Sequence, residues 1–129
     1  MARILIIGAV AVLVLHSLIH LMGTAVYMRL TTIEGFSYKT TLLGGRWDLG
    51  TSGTWGFGLL WLLAGAGTAV AAVGLLTGAV WVRPLLLAAT ALSLAICTLD
   101  WELAKVGAVV DVAILVALLL APRLITLAR

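Results

Sequence analysis

The sequence is poor in charged residues and has a single cysteine, and each shortage excludes a kind of protein or bond. Only 10% of its 129 residues are charged, 64% are hydrophobic, and the mean hydropathy is +1.24. A soluble domain of this length needs more polar sequence to cover its surface, so the composition indicates an integral membrane protein. The single cysteine excludes an intrachain disulfide. The eight Lys and Arg residues form no basic cluster with aromatic residues, which argues against a nucleic-acid partner.

Four apolar runs are each about as long as the roughly 20 residues that cross a bilayer. They cover about residues 4–27, 55–79, 82–101 and 103–121. The first run is too long for the apolar core of a signal peptide, so we interpret it as a retained helix. Pro84 falls in the first turn of the third run, where its missing N–H costs nothing, and Pro122 ends the fourth. The sequence therefore predicts an all-α protein, with residues 1–129 forming one transmembrane domain, an integral four-helix bundle in the lipid bilayer.

An even number of spans places both termini on the same side of the membrane. That side carries no acidic residue but has four arginines, Arg3, Arg83, Arg123 and Arg129. The opposite side carries as many Lys and Arg residues but also acids, which count little in the positive-inside rule. We predict a bacterial cytoplasmic membrane protein with cytoplasmic termini. The one substantial loop, residues 28–54, is expected to cap the outer mouth of the bundle; the alternative is a solvated connector.

The second apolar run is rich in glycine and alanine. Gly65 with Ala69, and Gly74 with Gly78, form small-xxx-small patterns that allow close helix approach. The pattern fits packing within the bundle and packing against a second subunit equally well.

The main candidate site is a histidine pair, His16 and His20, one helical turn apart in the first run. At 1.5 Å rise per residue they lie roughly 18 and 24 Å from the inner end of that helix. Counted in the same way, Cys97, Asp100 and Asp111 come at about 21, 25 and 20 Å from the inner boundary. Ionisable groups at that depth usually face a bundle interior or a cavity. We predict His16, His20 and Asp111 as catalytic residues.

Further polar residues are predicted to bind a ligand beside these three. On the third helix, Ser93, Cys97 and Asp100 fall within one narrow sector at 100° per residue. The remaining candidates are Glu102, Arg46 and Asp48, one at the start of the fourth helix and two in the capping loop.

Several chemistries fit this polar centre. His16, His20 and Asp111 match the ligand types of a single metal ion, with Asp100 or Glu102 supporting them. A bis-histidine haem would need a dimer. Proton-coupled transport would pair Asp111 with a histidine, in a homo-oligomer that builds the pathway. The alternative without chemistry is a set of hydrogen bonds that fixes helix packing.

The run from Thr40 to Gly50, with His16 and His20 before it and Leu99-Asp100-Trp101 after it, resembles small four-helix bacterial membrane proteins whose function is uncharacterised. In topology the chain is also similar to DoxX-type four-helix proteins, without a shared motif that carries a function over. It differs from the small multidrug-resistance transporters, whose first helix has an essential glutamate. The resemblance implies a four-helix fold in the membrane and nothing further.

The function we predict is binding or conversion of a small, hydrophobic lipid-phase molecule at a buried His/Asp site. His16 and His20 would donate or accept protons, and Asp111 would orient and charge them. Whether a reaction occurs is left open. One alternative is a non-catalytic subunit or assembly partner of a larger membrane complex, with the Gly-rich second helix as the contact. The other is the homo-oligomeric proton-coupled transporter.

Overall fold

The computed structural model describes residues 2–120, with the side chain of Ala2 left aside. Four helices and one small hairpin make up this part of the chain. They are α1 (Ala2–Tyr27), β1 (Thr41–Leu42), β2 (Trp47–Asp48), α2 (Gly50–Thr77), α3 (Val82–Leu99) and α4 (Trp101–Leu120). All four helices are long and apolar enough to cross a membrane, which confirms the prediction of an all-helical chain with four such segments. The predicted helix end at residue 121, Pro122, Arg123 and Arg129 lie outside the described residues.

The start of α2 differs most from the sequence prediction. It begins at Gly50, five residues before the predicted start at residue 55. Asp48 Oδ1 accepts the backbone N–H of Gly50 at 2.9 Å, and Thr54 Oγ1 donates to the Gly50 carbonyl at 2.6 Å. Leu49 at the N-cap makes no side-chain capping bond. The helix nevertheless includes a segment whose Gly, Ser and Thr content predicts a loop.

The C-terminal ends of α2 and α3 are marked by residues that leave the helical conformation. After Thr77, Gly78 adopts the left-handed conformation (φ 69°), and its N–H bonds back to carbonyls of the last turn of α2. Glycine is favoured there because a Cβ would be strained at positive φ. At the end of α3, Asp100 leaves the helical conformation (φ −105°, ψ 42°), so α3 stops at Leu99, two residues before its predicted end at residue 101.

The helices pack in chain order, α1 on α2, α2 on α3 and α3 on α4. The small residues of α2 create the space for this packing. A Cβ on Gly65 would lie 2.9 Å from His20 Cβ of α1, and one on Gly67 would lie 3.0 Å from Ala89 Cβ of α3. Real Cβ atoms rarely come so close, so only glycine permits these helix separations. Both positions thus serve contacts within the chain.

The loop of residues 28–49 lies over the ends of α1 and α3. Its hairpin pairs β1 with β2 in antiparallel register, and the Leu43 N–H donates to the Leu99 carbonyl at 3.0 Å. Phe36 packs edge-on against Tyr27, with ring centroids 5.8 Å apart. The loop is thus attached to the helices by a backbone hydrogen bond and by an aromatic contact.

Candidate functional site

The histidine pair on α1 is buried and internally hydrogen-bonded. His16 is 3% exposed and His20 is fully buried. His20 Nδ1 lies 2.8 Å from the carbonyl oxygen of His16. A carbonyl only accepts hydrogen bonds, so Nδ1 of His20 carries a proton. In the neutral ring the other nitrogen, Nε2, is then an acceptor.

Ser93 of α3 lies at the centre of the polar network. Its Oγ is 2.7 Å from His20 Nε2, 2.6 Å from Asp111 Oδ2 and 3.2 Å from His16 Nε2. Ser93 and Asp111 are both fully buried. One hydroxyl therefore joins three ionisable side chains from two other helices.

Asp111 of α4 closes the network. Its Oδ1 is 2.7 Å from His16 Nε2, while Oδ2 contacts Ser93. Gly107, one turn earlier on α4, allows α3 to come close, because a Cβ there would lie 3.0 Å from Cys97 Sγ. Cys97 itself is at the edge of the network, with Sγ 3.9 Å from Ser93 Oγ. We call His16, His20, Ser93 and Asp111 the polar network.

The close contacts of the polar network can be compared with the protons that its side chains supply. Four contacts each need a proton: His20 Nδ1 to the carbonyl, His20 Nε2 with Ser93, Ser93 to Asp111, and His16 to Asp111. Neutral histidines, the serine hydroxyl and an ionised aspartate supply one proton fewer than that. Ser93 donates its hydroxyl proton to Asp111 Oδ2, so the contact that lacks a proton is the one with His20 Nε2. One further proton there would make the network as a whole electrically neutral, which suits burial among apolar helices.

Aromatic side chains cover the network on the side of the loop. The Trp61 ring lies 5.1 Å from the His20 ring, centroid to centroid, and is 1% exposed. Phe36, Phe57 and Tyr27 surround that indole at centroid distances of 6.0, 6.3 and 6.1 Å. The Nε1–H of Trp61 is buried and has no hydrogen-bond partner within residues 2–120. This aromatic layer, to which the loop contributes Phe36, lies between the network and the rest of the loop.

Asp100 belongs to a second polar cluster beyond the aromatic layer. Tyr27 donates its hydroxyl proton to Asp100 Oδ2, and Lys39 Nζ of the loop lies 2.7 Å from Asp100 Oδ1. Asp100 is fully buried, whereas Lys39 is 22% exposed. Glu102 is 61% exposed and only 4.0 Å from Lys39. This cluster holds the loop to the ends of α1 and α3.

The structure thus places only some of the site residues predicted from the sequence in one cluster. It brings His16, His20, Ser93 and Asp111 together, with Cys97 beside them. The other candidates lie apart from them: Asp100 and Glu102 near Lys39, and Arg46 and Asp48 exposed in the hairpin.

Sequence reasoning missed Trp61, Tyr27 and Lys39. Trp61 was the one tryptophan away from the ends of a predicted span, and that position was the available signal for an aromatic wall. Lys39 carried no such signal, because its partner depends on the path of the loop.

Metal binding by the polar network finds no geometric support. Within residues 2–120, no three His, Cys, Asp or Glu side chains are placed to hold one ion. The Nε2 atoms of His16 and His20 are directed at Asp111 and Ser93. The donor atoms that would coordinate a metal are therefore engaged with one another.

An apolar groove begins one helical turn from the network, between α1 and α4. Its volume is about 440 Å³, within the usual range of small-molecule sites. Val12 and Leu13 on its wall precede His16 by one turn, and Val110 is adjacent to Asp111. Leu75 of α2 and Leu86 of α3 also contribute to the wall. The groove leads away from the network toward the end of the molecule where α1 begins.

Comparison of the chain with protein-family models, with curated proteins and with solved structures finds no match. The resemblance to small four-helix bacterial membrane proteins therefore stays a prediction.

Proposed function

We propose that the chain is an integral membrane protein whose four helices cross the bilayer as one bundle. The length and apolar character of all four helices support insertion. In this arrangement both termini lie on one side, which we assign to the cytoplasm of a bacterial cell, and the loop of residues 28–49 lies outside. Large apolar side chains such as Leu15, Leu63 and Val109 are more than half exposed, as lipid-facing residues would be.

We further propose that the polar network exchanges a proton with a small lipid-phase molecule. The observation that carries this proposal is the set of hydrogen bonds around Ser93, in which one further proton, shared between His20 and Asp111, would fill every contact. Ser93 would pass this proton between them. Asp111 would also orient His16, since a carboxylate bonded to an imidazole selects its tautomer.

His16 is the residue that we expect to contact the lipid-phase molecule. It is the only member of the network with measurable exposure, and its preceding turn forms part of the groove wall. A proton given away would leave the buried network with a net negative charge, which is costly in hydrocarbon. Each proton that leaves must therefore be replaced, so proton exchange is favoured over net proton loss.

The alternative of a partner subunit docked on the Gly-rich helix gains no support from the packing. Gly58, Gly65, Gly67 and Gly74 of α2 all face atoms of α1, α3 or the segments beside them within this chain. Gly56 faces open space. Assembly with a membrane partner or with further copies, and proton-coupled transport by such an assembly, stay predictions without a specific contact behind them.

The proposal is tested by the molecules that the protein retains. Wild type, His16→Ala, Asp111→Asn and Ser17→Ala are purified in mild detergent, extracted with organic solvent and compared by mass spectrometry. Ser17 is the matched control, because it is a buried polar residue of the same helix whose Oγ bonds the Gly65 carbonyl outside the network. Circular dichroism checks that each variant is folded.

We expect one class of small molecule in wild type and Ser17→Ala that is depleted in His16→Ala and Asp111→Asn. Asp111→Asn keeps the size of the side chain, so its loss of the molecule would report on proton chemistry. Identical extracts from all four folded proteins would contradict the proposed function.

A further inference from the structure

Within the described residues, the end of the molecule where α1 begins carries basic side chains and no acidic ones, and the groove ends there. Arg3 at the start of α1 and Arg83 at the start of α3 lie at the far end of the groove from the polar network. Within the described residues, all acidic side chains lie elsewhere: Asp111 is in the network, and the other four are in or beside the loop. The end where α1 begins is therefore positively charged.

Both arginines are in register with the groove wall. Arg83 precedes Leu86 by three residues, which places the two on one face of α3 about 4.5 Å apart along the helix axis. Arg3 precedes Ile6 on α1 by the same interval. Arginine side chains near helix ends extend toward the headgroup layer. A chain lying in the groove would thus end near two guanidinium groups.

Arg83 also has an unused donor. Its Nε is buried and has no hydrogen-bond partner within residues 2–120. Guanidinium groups bind phosphate oxygens through paired N–H donors, and basic pockets between transmembrane helices are typical sites for anionic lipid headgroups.

We propose that the groove binds one acyl chain of an anionic phospholipid, with the phosphate on Arg83 and Arg3. A second copy of the chain is a poorer occupant, because a symmetric contact through this face would bring the same arginines of both copies together. The apolar wall suits a hydrocarbon chain, and the basic end suits a phosphate. This lipid site does not depend on the proton chemistry of the polar network.

The test counts lipids retained on the protein by native mass spectrometry. Phosphatidylglycerol and phosphatidylcholine with identical acyl chains are titrated onto wild type, Arg83→Gln, Arg83→Lys and Lys105→Gln. Lys105 is the charge control, since it is exposed at the opposite end of the molecule. We expect wild type to prefer phosphatidylglycerol at least about fivefold, the effect of one arginine near an anionic headgroup. Arg83→Gln should remove most of that preference, and Arg83→Lys, which keeps the charge but not the paired donors, should keep part of it, whereas Lys105→Gln should keep it all.

The binding of the acyl chain is tested by replacing each of two alanines with phenylalanine. Ala113→Phe fills the groove from α4, whereas Ala91→Phe adds the same side chain to an exposed position of α3 outside the groove. Ala113→Phe should lower retention of both lipids, and Ala91→Phe should leave it unchanged.

Equal retention of the two lipids by wild type would overturn the proposal. Displacement of phosphatidylglycerol by inorganic phosphate alone, or loss of lipid on dimerisation, would overturn it as well. Ser93→Ala distinguishes this site from the proposed function, because it disrupts the polar network but should leave the preference for phosphatidylglycerol unchanged.

Discussion

Replacing Ser93 with alanine should destabilise the protein far more than the loss of one ordinary hydrogen bond. The Ser93 hydroxyl contacts His20 Nε2 at 2.7 Å and Asp111 Oδ2 at 2.6 Å, and all three residues are fully buried. The substitution leaves two buried polar atoms without this partner, and each such atom costs about 1–3 kcal/mol. We therefore expect the free energy of unfolding to fall by at least about 2 kcal/mol.

Ser17→Ala provides the comparison for this prediction. Ser17 makes a single interhelical bond, from Oγ to the Gly65 carbonyl at 2.8 Å, and such bonds average about 0.6 kcal/mol in membrane proteins. Unfolding is measured by titration with sodium dodecyl sulfate in mixed micelles, followed by helicity and tryptophan fluorescence. Equal losses in Ser93→Ala and Ser17→Ala would refute the central position of Ser93.

A double-mutant cycle extends the same measurement. Ser93→Ala and Asp111→Asn affect one network, so their losses should not add, and we expect a coupling of about 1 kcal/mol or more. Additive losses would mean that Ser93 and Asp111 act independently.

Two further substitutions test the packing and the loop attachment. Gly23→Ala places a Cβ 2.5 Å from a Trp61 ring carbon, so we expect the free energy of unfolding to fall by about 1–3 kcal/mol in the same titration. Gly56 faces open space, so Gly56→Ala should be neutral or stabilising. A harmless Gly23→Ala would contradict the close approach of α1 and α2. Lys39→Met leaves the buried Asp100 carboxylate without its cation, so we expect a loss of about 3 kcal/mol and faster amide hydrogen exchange in the hairpin. Unchanged exchange would argue against the attachment.

The number of helices, and that each is long enough to span a membrane, could be predicted because both depend on runs of apolar residues. The start of α2 could not. Residues 50–54 have the composition of a loop, yet they form the first turn of α2, with Thr54 Oγ1 bonded to the Gly50 carbonyl. Thr54 is buried, and tertiary packing outweighs weak helix propensity.

The candidate site could be predicted as far as depth along the helices determines it. Counting residues placed His16, Cys97 and Asp111 near one level, and the structure brings them together around Ser93, which the sequence placed on the same face of α3 as Cys97. The same counting placed Asp100 with them, although its side chain is bonded to Tyr27 and paired with Lys39. Depth does not specify helix rotation or the path of a long loop. The sequence therefore identified polar residues of similar depth without separating the two clusters.

The measurement that tests the shared proton most directly is the ¹⁵N NMR spectrum of the histidine rings in lipid bilayers. We predict that His20 Nδ1 carries a proton, and that the Nε2 signal is shifted by the proton shared with Asp111 through Ser93. In Asp111→Asn, the Nε2 signal should change while Nδ1 stays protonated, because its partner is the His16 carbonyl. An unprotonated Nδ1, or a spectrum that Asp111→Asn leaves unchanged, would contradict the shared-proton network.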